Sequence, residues 1–284
     1  MSAVLYLDRL SGADLALLAR AAGEPAGEDH VARLRAEPER IRALIERPET
    51  FRALFRSGRE EPLLLASPFL AFSVLLARAA AELREERYVA EWIGPRRWVP
   101  VFDVAELRAF AEDELRRMFL ADLLASYTRV ASGVVWMRTP TGWSRRRFSE
   151  LDPGHLAQLI LAAPPGERLA LYRRLGDLSL FLTGVFPDHV GGRLLGPVRL
   201  GRIERALGVE GEEVERTSGG PVELLEELGR RSYRMAAEGT EGPRTGMARV
   251  LHELVERFRE ARRILNFVTE RYLFPVRERW FGTG

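Results

Sequence analysis

The chain has 284 residues, 46% of them apolar and 30% charged, the balance of a globular protein rather than a disordered one. Its 43 basic residues, all arginine, face 41 acidic ones, and a formal charge of +2 excludes a global electrostatic case for nucleic-acid or membrane binding; only a local patch could carry one. Cysteine is absent, which excludes disulfides, thiol catalysis and thiolate metal sites.

Apolar residues recur at three- and four-residue spacing almost throughout, the periodicity of helices. Ser11 reads as the N-cap of a short helix ending near Gly23. A local repeat follows: Pro38-Glu39-Arg40-Ile41-Arg42-Ala43-Leu44-Ile45 is echoed by Pro48-Glu49-Thr50-Phe51-Arg52-Ala53-Leu54-Phe55. Proline at the first helical position before glutamate starts a helix in each copy. Ser67-Pro68 opens a longer helix to about Glu86, and 92–100 reads as a connector containing Gly94, Pro95 and Arg96-Arg97-Trp98. Asp103 is expected to cap a helical region that reaches Arg129 with a bend or break.

The β signal lies at 134–148: Val134-Val135-Trp136-Met137-Arg138, a Pro140/Gly142 loop, then Trp143 to Phe148, which predicts a hairpin. Two strands alone are marginal in water, so this hairpin must lean on helices. Asp152-Pro153 starts another helix, Pro164-Pro165 ends it, and 168–186 forms the next. After Pro187, Gly191-Gly192, Gly196-Pro197 and Gly208 punctuate short pieces beside an acidic stretch (Glu210, Glu212, Glu213, Glu215, Glu223, Glu226, Glu227). Amphipathic helices are expected at about 221–238 and 244–274, packed back on what precedes them. The expectation is a mostly α, compact multi-helix bundle around a buried central helix at 168–186. It forms one helical domain, 1–284, with a possible subdivision into 1–190 and 191–284.

The central helix is apolar or small on every side from Leu178 to Phe186, and Gly176, Ser179, Thr183 and Gly184 would admit neighbours closely. Asp177 at its edge needs a partner, since a lone buried carboxylate is costly. Arg230, Arg231 and Arg234 are the candidates, and Asp177 with Arg231 and Arg234 would form a structural ion pair. The alternative makes Asp177 a ligand-facing or catalytic acid beside Asp188 and His189. The hairpin is a second candidate: Arg138, Arg145, Arg146 and Arg147 with Trp136 and Trp143 suit phosphate contact and base stacking. Alternation places Arg145 and Arg147 on one face and Arg146 on the other, and charge on an exposed edge also serves merely to prevent self-pairing. His252 and Glu256, four apart, have chelating spacing, and Glu226, Glu227, His155 and His189 could add ligands. No HExxH or Glu-x-x-His pattern accompanies them, so no metal is expected and a solvated pair is the plainer reading.

Walker, Rossmann and Gly-x-Ser-x-Gly patterns are missing, and without lysine a Walker loop lacks its phosphate-binding residue. Gly176-Asp177-Leu178-Ser179-Leu180-Phe181-Leu182-Thr183-Gly184-Val185-Phe186-Pro187, the later Gly229-Arg230-Arg231-Ser232-Tyr233, Pro100-Val101-Phe102-Asp103, and 120–127 resemble a widespread family of bacterial all-helical proteins without an assigned function. The resemblance spans most of the chain and implies a helical fold but no activity or ligand.

Arginine without lysine, with one asparagine (Asn266) and one glutamine (Gln158), suggests a GC-rich, heat-tolerant bacterium. No apolar stretch approaches the roughly 20 residues that cross a bilayer, and Met1 to Arg9, with Asp8, does not read as a signal peptide. The expectation is a cytoplasmic, non-enzymatic interaction or regulatory module without a cofactor, open to a protein partner or self-association. Nucleic-acid binding through the hairpin, or a helix-walled enzyme or ligand pocket near Asp177, Asp188 and His189, are the alternatives.

Overall fold

A computed structural model describes residues 6, 8–56, 65–94, 97–130, 132–139, 142–190, 194–209, 220–238, 246–273 and 280–281. The described chain is mostly helical. In order run α1 (Gly12–Ala21), α2 (Glu28–Ala36), α3 (Pro38–Glu46), α4 (Pro48–Phe55) and α5 (Pro68–Leu83). Strands β1 (Val89–Gly94) and β2 (Arg97–Val101) lead to α6 (Val104–Glu112) and α7 (Glu114–Ser126). Then come β3 (Ser132–Thr139), β4 (Gly142–Ser149), α8 (Pro153–Ala162), α9 (Arg168–Val185) and α10 (Pro197–Leu207). Helices α11 (Pro221–Glu238), α12 (Met247–Glu256) and α13 (Phe258–Val268) follow, with a π turn at Thr269–Leu273. Contacts divide the chain into two compact units that interleave in sequence, not at the composition shift near residue 190. The first comprises Met1–Ala90, Pro100–Thr128 and Phe267–Val276; the second comprises Glu91–Val99, Arg129–Asn266 and Arg277–Gly284.

In the first unit, α5 is buried almost all round, with Phe69 through Ala77 all inside. Pro68 takes the first helical position and the Ser67 hydroxyl accepts the Leu70 N–H at 3.2 Å. The buried Asp14 carboxylate ties the starts of α1 and α5 together. It accepts from the Ser11 N–H (2.9 Å), the Ser11 hydroxyl (2.8 Å) and the Ser67 N–H (2.8 Å). The repeated Pro-Glu segments form α3 and α4, which bury Ile41, Leu44 and Ile45, and Phe51 and Leu54. Between α6 and α7 the chain breaks at Asp113, whose carboxylate accepts the Arg116 N–H at 3.1 Å. Arg117 satisfies carbonyls freed at the end of α6, donating to Ala111 O (2.8 Å) and Glu112 O (3.0 Å).

In the second unit, α9 is the central buried helix. Every residue from Leu175 to Val185 is inside, and Leu178, Leu182 and Phe186 are all buried. Its small residues set the spacing of its neighbours. A Cβ on Gly176 would stand 2.6 Å from the Tyr233 ring, and one on Gly184 2.6 Å from the Leu265 Cβ. On the facing helix α11, a Cβ on Gly229 would come within 2.7 Å of both Ser179 and Phe258. Asn266 closes the C-terminus of α9: its side-chain amide donates to Thr183 O (3.1 Å) and Gly184 O (2.8 Å), two carbonyls of the last turn of the helix. The β3–β4 hairpin is antiparallel and anchored at its base, where His155 Nδ1 on α8 accepts the Ser149 N–H at 3.2 Å.

Four expectations change. The 92–100 connector belongs to strands: Trp92, Ile93, Trp98 and Val99 are β-formers on either side of the Gly94-Pro95 break, and β1 pairs with β2. Asp103 stands at the N-cap of α6 without a capping bond from its side chain. The helix expected at 244–274 starts after Gly246 (φ +57°) and is cut at Arg257, where neither Pro nor Gly marks the break. Gly196-Pro197 and Gly208 bracket α10, an eleven-residue helix with proline at its first position and a left-handed glycine (φ +64°) after its end. Gly191-Gly192 and the Glu210–Glu215 stretch lie outside the described residues.

Candidate functional site

Cross-strand register decides what the hairpin offers. Val134 pairs with Arg147, Trp136 with Arg145, and Arg138 with Trp143. Directly paired residues share a face, so one side of the sheet collects Val134, Trp136, Arg138, Trp143, Arg145 and Arg147. The other side carries Val135, Met137, Arg146 and Phe148. Trp136 is 63% exposed, Val134 is 44% exposed, and Arg145 is exposed. The side chains of Arg138, Trp143, Arg146 and Arg147 lie outside the described set; their backbone places are fixed by the register. Gly142 opens β4 at φ +126°, a backbone that side-chain-bearing residues rarely adopt.

Charge adds to this geometry. The hairpin carries four arginines and no carboxylate, while the rest of the chain holds 39 basic against 41 acidic residues. An overall balance near neutrality therefore conceals a cationic, aromatic hairpin on a slightly acidic remainder.

Around α9 the acids separate. Asp177, buried, accepts the Tyr233 hydroxyl at 2.9 Å, and Arg173 Nε stands 3.8 Å from its other oxygen. Of the arginines suggested by sequence, Arg230 donates to Val255 O (2.9 Å), Arg231 donates to Glu227 (2.9 Å), and Arg234 is exposed. Asp188 is exposed and accepts the Trp92 indole N–H at 2.8 Å; His189 is exposed with its ring against the edge of Phe186. Asp177 lies eight residues, about 12 Å of helix, before the end of α9 at Val185, whereas Asp188 and His189 lie in the turn that follows that end. These three residues do not converge on one reacting centre.

Of the side chains suggested for a metal, His252 is half-buried on α12, and the glutamates and His155 meet other groups. Glu226 is buried against Arg262 (2.9 Å) and Arg259 (3.5 Å), and Glu227 meets Arg231 and Arg230. Glu256 is 3.8 Å from Arg230, and His155 holds the hairpin base. Among the described residues no group of three His, Asp or Glu side chains is placed to hold a metal ion. Glu91 on β1 joins the same network through Arg262 (2.6 Å) and Arg263. Burial pushes its carboxyl upward, but the Arg263 and Arg262 guanidiniums more than offset this and hold it below the ordinary glutamate value.

A cleft of about 370 Å³ in the first unit escaped the sequence reading. Arg78, Glu82, Glu85, Glu86 and Arg271 line it, with Glu82 between Arg78 (2.7 Å) and Arg271 (2.6 Å). Sequence gave no signal for it, because Arg271 meets Glu82 only in the fold. Arg271 also meets Glu86 at 3.0 Å, so both arginines of the cleft lie against its glutamates. No helix among the described residues is long and apolar enough to cross a membrane. Compared with known proteins, the chain matches no family model, no curated protein and no solved structure.

Proposed function

We propose that the protein is a soluble, cytoplasmic, non-enzymatic interaction module that docks an anionic partner on the Val134–Trp136–Arg145 face of the β3–β4 hairpin. One observation carries the reading: a tryptophan 63% exposed stands directly across from an exposed arginine, on a face with no carboxylate. A tryptophan held in water forgoes burial of roughly 150 Å², worth up to about 4 kcal/mol at 25 cal/mol per Å², which a partner would recover. Exposed patches of this kind mark interaction sites. Edge protection accounts for arginine on a two-stranded sheet, but not for tryptophan beside it.

The test is a triple charge reversal, Arg145→Glu with Arg146→Glu and Arg147→Glu. It should abolish retention of whatever anionic partner co-purifies, with the melting temperature unchanged. Retention equal to that of the unaltered protein refutes the proposal. The enzyme reading around Asp177, Asp188 and His189 gains no support from side chains that stand a helix apart.

A further inference from the structure

We infer that the partner of the β3–β4 face is a single-stranded nucleic acid; this rests on the reading of that face as the docking surface. Three features of the face point to this polymer. Each strand sets one tryptophan next to arginine along it. On β3 the order is Val134, Trp136, Arg138, and on β4 it is Trp143, Arg145, Arg147. Neighbours on the same face are about 6.8 Å apart along each strand, two rises of about 3.4 Å. A chain of unpaired nucleotides likewise sets a flat base next to each phosphate.

The second feature is the pairing across the strands. Trp136 and Arg145 are direct partners, as are Arg138 and Trp143, and the two tryptophans occupy diagonal positions about 7–8 Å apart. An indole face offers a base a stacking surface while the guanidinium beside it reaches the phosphate. A duplex hides its base faces inside the stack, so only the arginines would be used and the exposure of Trp136 would serve nothing. An acidic peptide would likewise satisfy the arginines and leave the indoles without a planar partner.

Third is the placement of charge. From Leu123 to Ser149 the sequence has five arginines and no Asp or Glu, while the remainder of the chain is net acidic. A polyanion is favoured at that stretch over a remainder with a slight acidic excess. The His155–Ser149 hydrogen bond holds the base of β4 to α8, so the platform is presented from a helix.

The experiment uses the full chain and a fluorescein-labelled 20-nucleotide deoxythymidine strand, read by anisotropy between 50 and 300 mM salt. Binding is expected, with log K falling against log salt at a slope of about −2 for the three arginines of the face, at roughly −0.7 per phosphate. Trp136→Ala should weaken it about 5- to 150-fold, the loss of one base stack. Arg145→Glu should weaken it and flatten the slope, whereas Arg33→Glu, the same charge change at an exposed position of α2, should do neither. A duplex of the same length should bind more weakly than the single strand. A labelled poly-glutamate peptide is titrated in parallel. Peptide binding that is lost in Trp136→Ala and Arg145→Glu, with no binding of the single strand, overturns the nucleic-acid inference but keeps the docking face. Single-strand binding that ignores both hairpin variants, or no binding of either probe, overturns both.

Discussion

Asn266, the only asparagine in a chain that otherwise avoids it, should prove to be a stability residue through one geometric fact: its amide faces two carbonyls at the end of α9. Asn266→Leu removes both donors and leaves Thr183 O and Gly184 O buried with one partner fewer each. Two net hydrogen bonds at about 0.5–1.5 kcal/mol each, plus part of the cost of underpaired buried acceptors, give about 2–4 kcal/mol. Asn266→Asp is more informative. It keeps the shape but sets an oxygen against two carbonyl oxygens, at the negative end of the helix dipole and away from water. All three effects disfavour the ionised form, so the folded-state pKa of the new carboxyl must lie above its unfolded value of about 3.9. The folded state then binds more protons than the unfolded one, and stability relative to the parent falls as pH rises, by up to about 1.4 kcal/mol per unit, until the folded-state pKa is passed. Below pH 4 the protonated carboxyl donates one bond, and the deficit falls below that of Asn266→Leu, which keeps neither. Guanidinium denaturation of the parent and both variants at pH 4, 6 and 8, compared as midpoints with matched slopes, measures this. The reasoning fails if Asn266→Asp lies within about 0.5 kcal/mol of the parent at pH 8, or if its deficit is the same at all three pH values.

Other consequences follow from the same contacts. Gly176→Ala drives a Cβ to 2.6 Å from the Tyr233 ring and should cost about 1–3 kcal/mol, while Gly201→Ala, with nothing within 4 Å inside α10, should gain about 0.5–1 kcal/mol. Equal melting shifts of the two variants would show that close helix approach is not what fixes glycine at Gly176. Tyr233→Phe withdraws the hydroxyl that donates to buried Asp177 and should cost about 1–3 kcal/mol by denaturant titration; a neutral result would mean that hydroxyl does not help neutralise the carboxylate. Glu91 is held below its ordinary value, so its contribution is present above the unfolded pKa of about 4.3 and is lost as pH falls through the folded one. Glu91→Gln should therefore flatten the decline in stability below about pH 4.5, and an unaltered acid limb would dispose of that account.

How much of this was legible in the sequence depends on how local each cause is. The burial of α9 was readable because Leu178 to Phe186 is apolar or small all round, and no other environment suits such a helix. The β3–β4 hairpin was readable from β-formers flanking a Pro/Gly break. The same rule applied to Trp92-Ile93 and Trp98-Val99 identifies β1 and β2, but Gly94, Pro95 and Pro100 read as punctuation and hid them. The cut at Arg257 has no local sign, because Leu254, Phe258, Ala261 and Leu265 continue one apolar stripe through it. Partners of buried polar groups were the hardest. A carboxylate invites a search for cations, and that search passes over a tyrosine hydroxyl such as that of Tyr233, fifty-six residues from Asp177. A lone asparagine reads as composition until the carbonyls it serves are placed beside it. The hairpin face falls between these cases. Alternation tells which residues of one strand share a side, but only the register tells that the side holding Trp136 on β3 is the side holding Arg145 on β4. A slip of one residue would put Trp136 on the same side as Arg146 and divide the tryptophans between the two faces. What sequence shows as four arginines and two tryptophans close together becomes one shared Trp/Arg face only through that pairing, and the binding assays on Trp136 and Arg145 are tests of the register as much as of the chemistry.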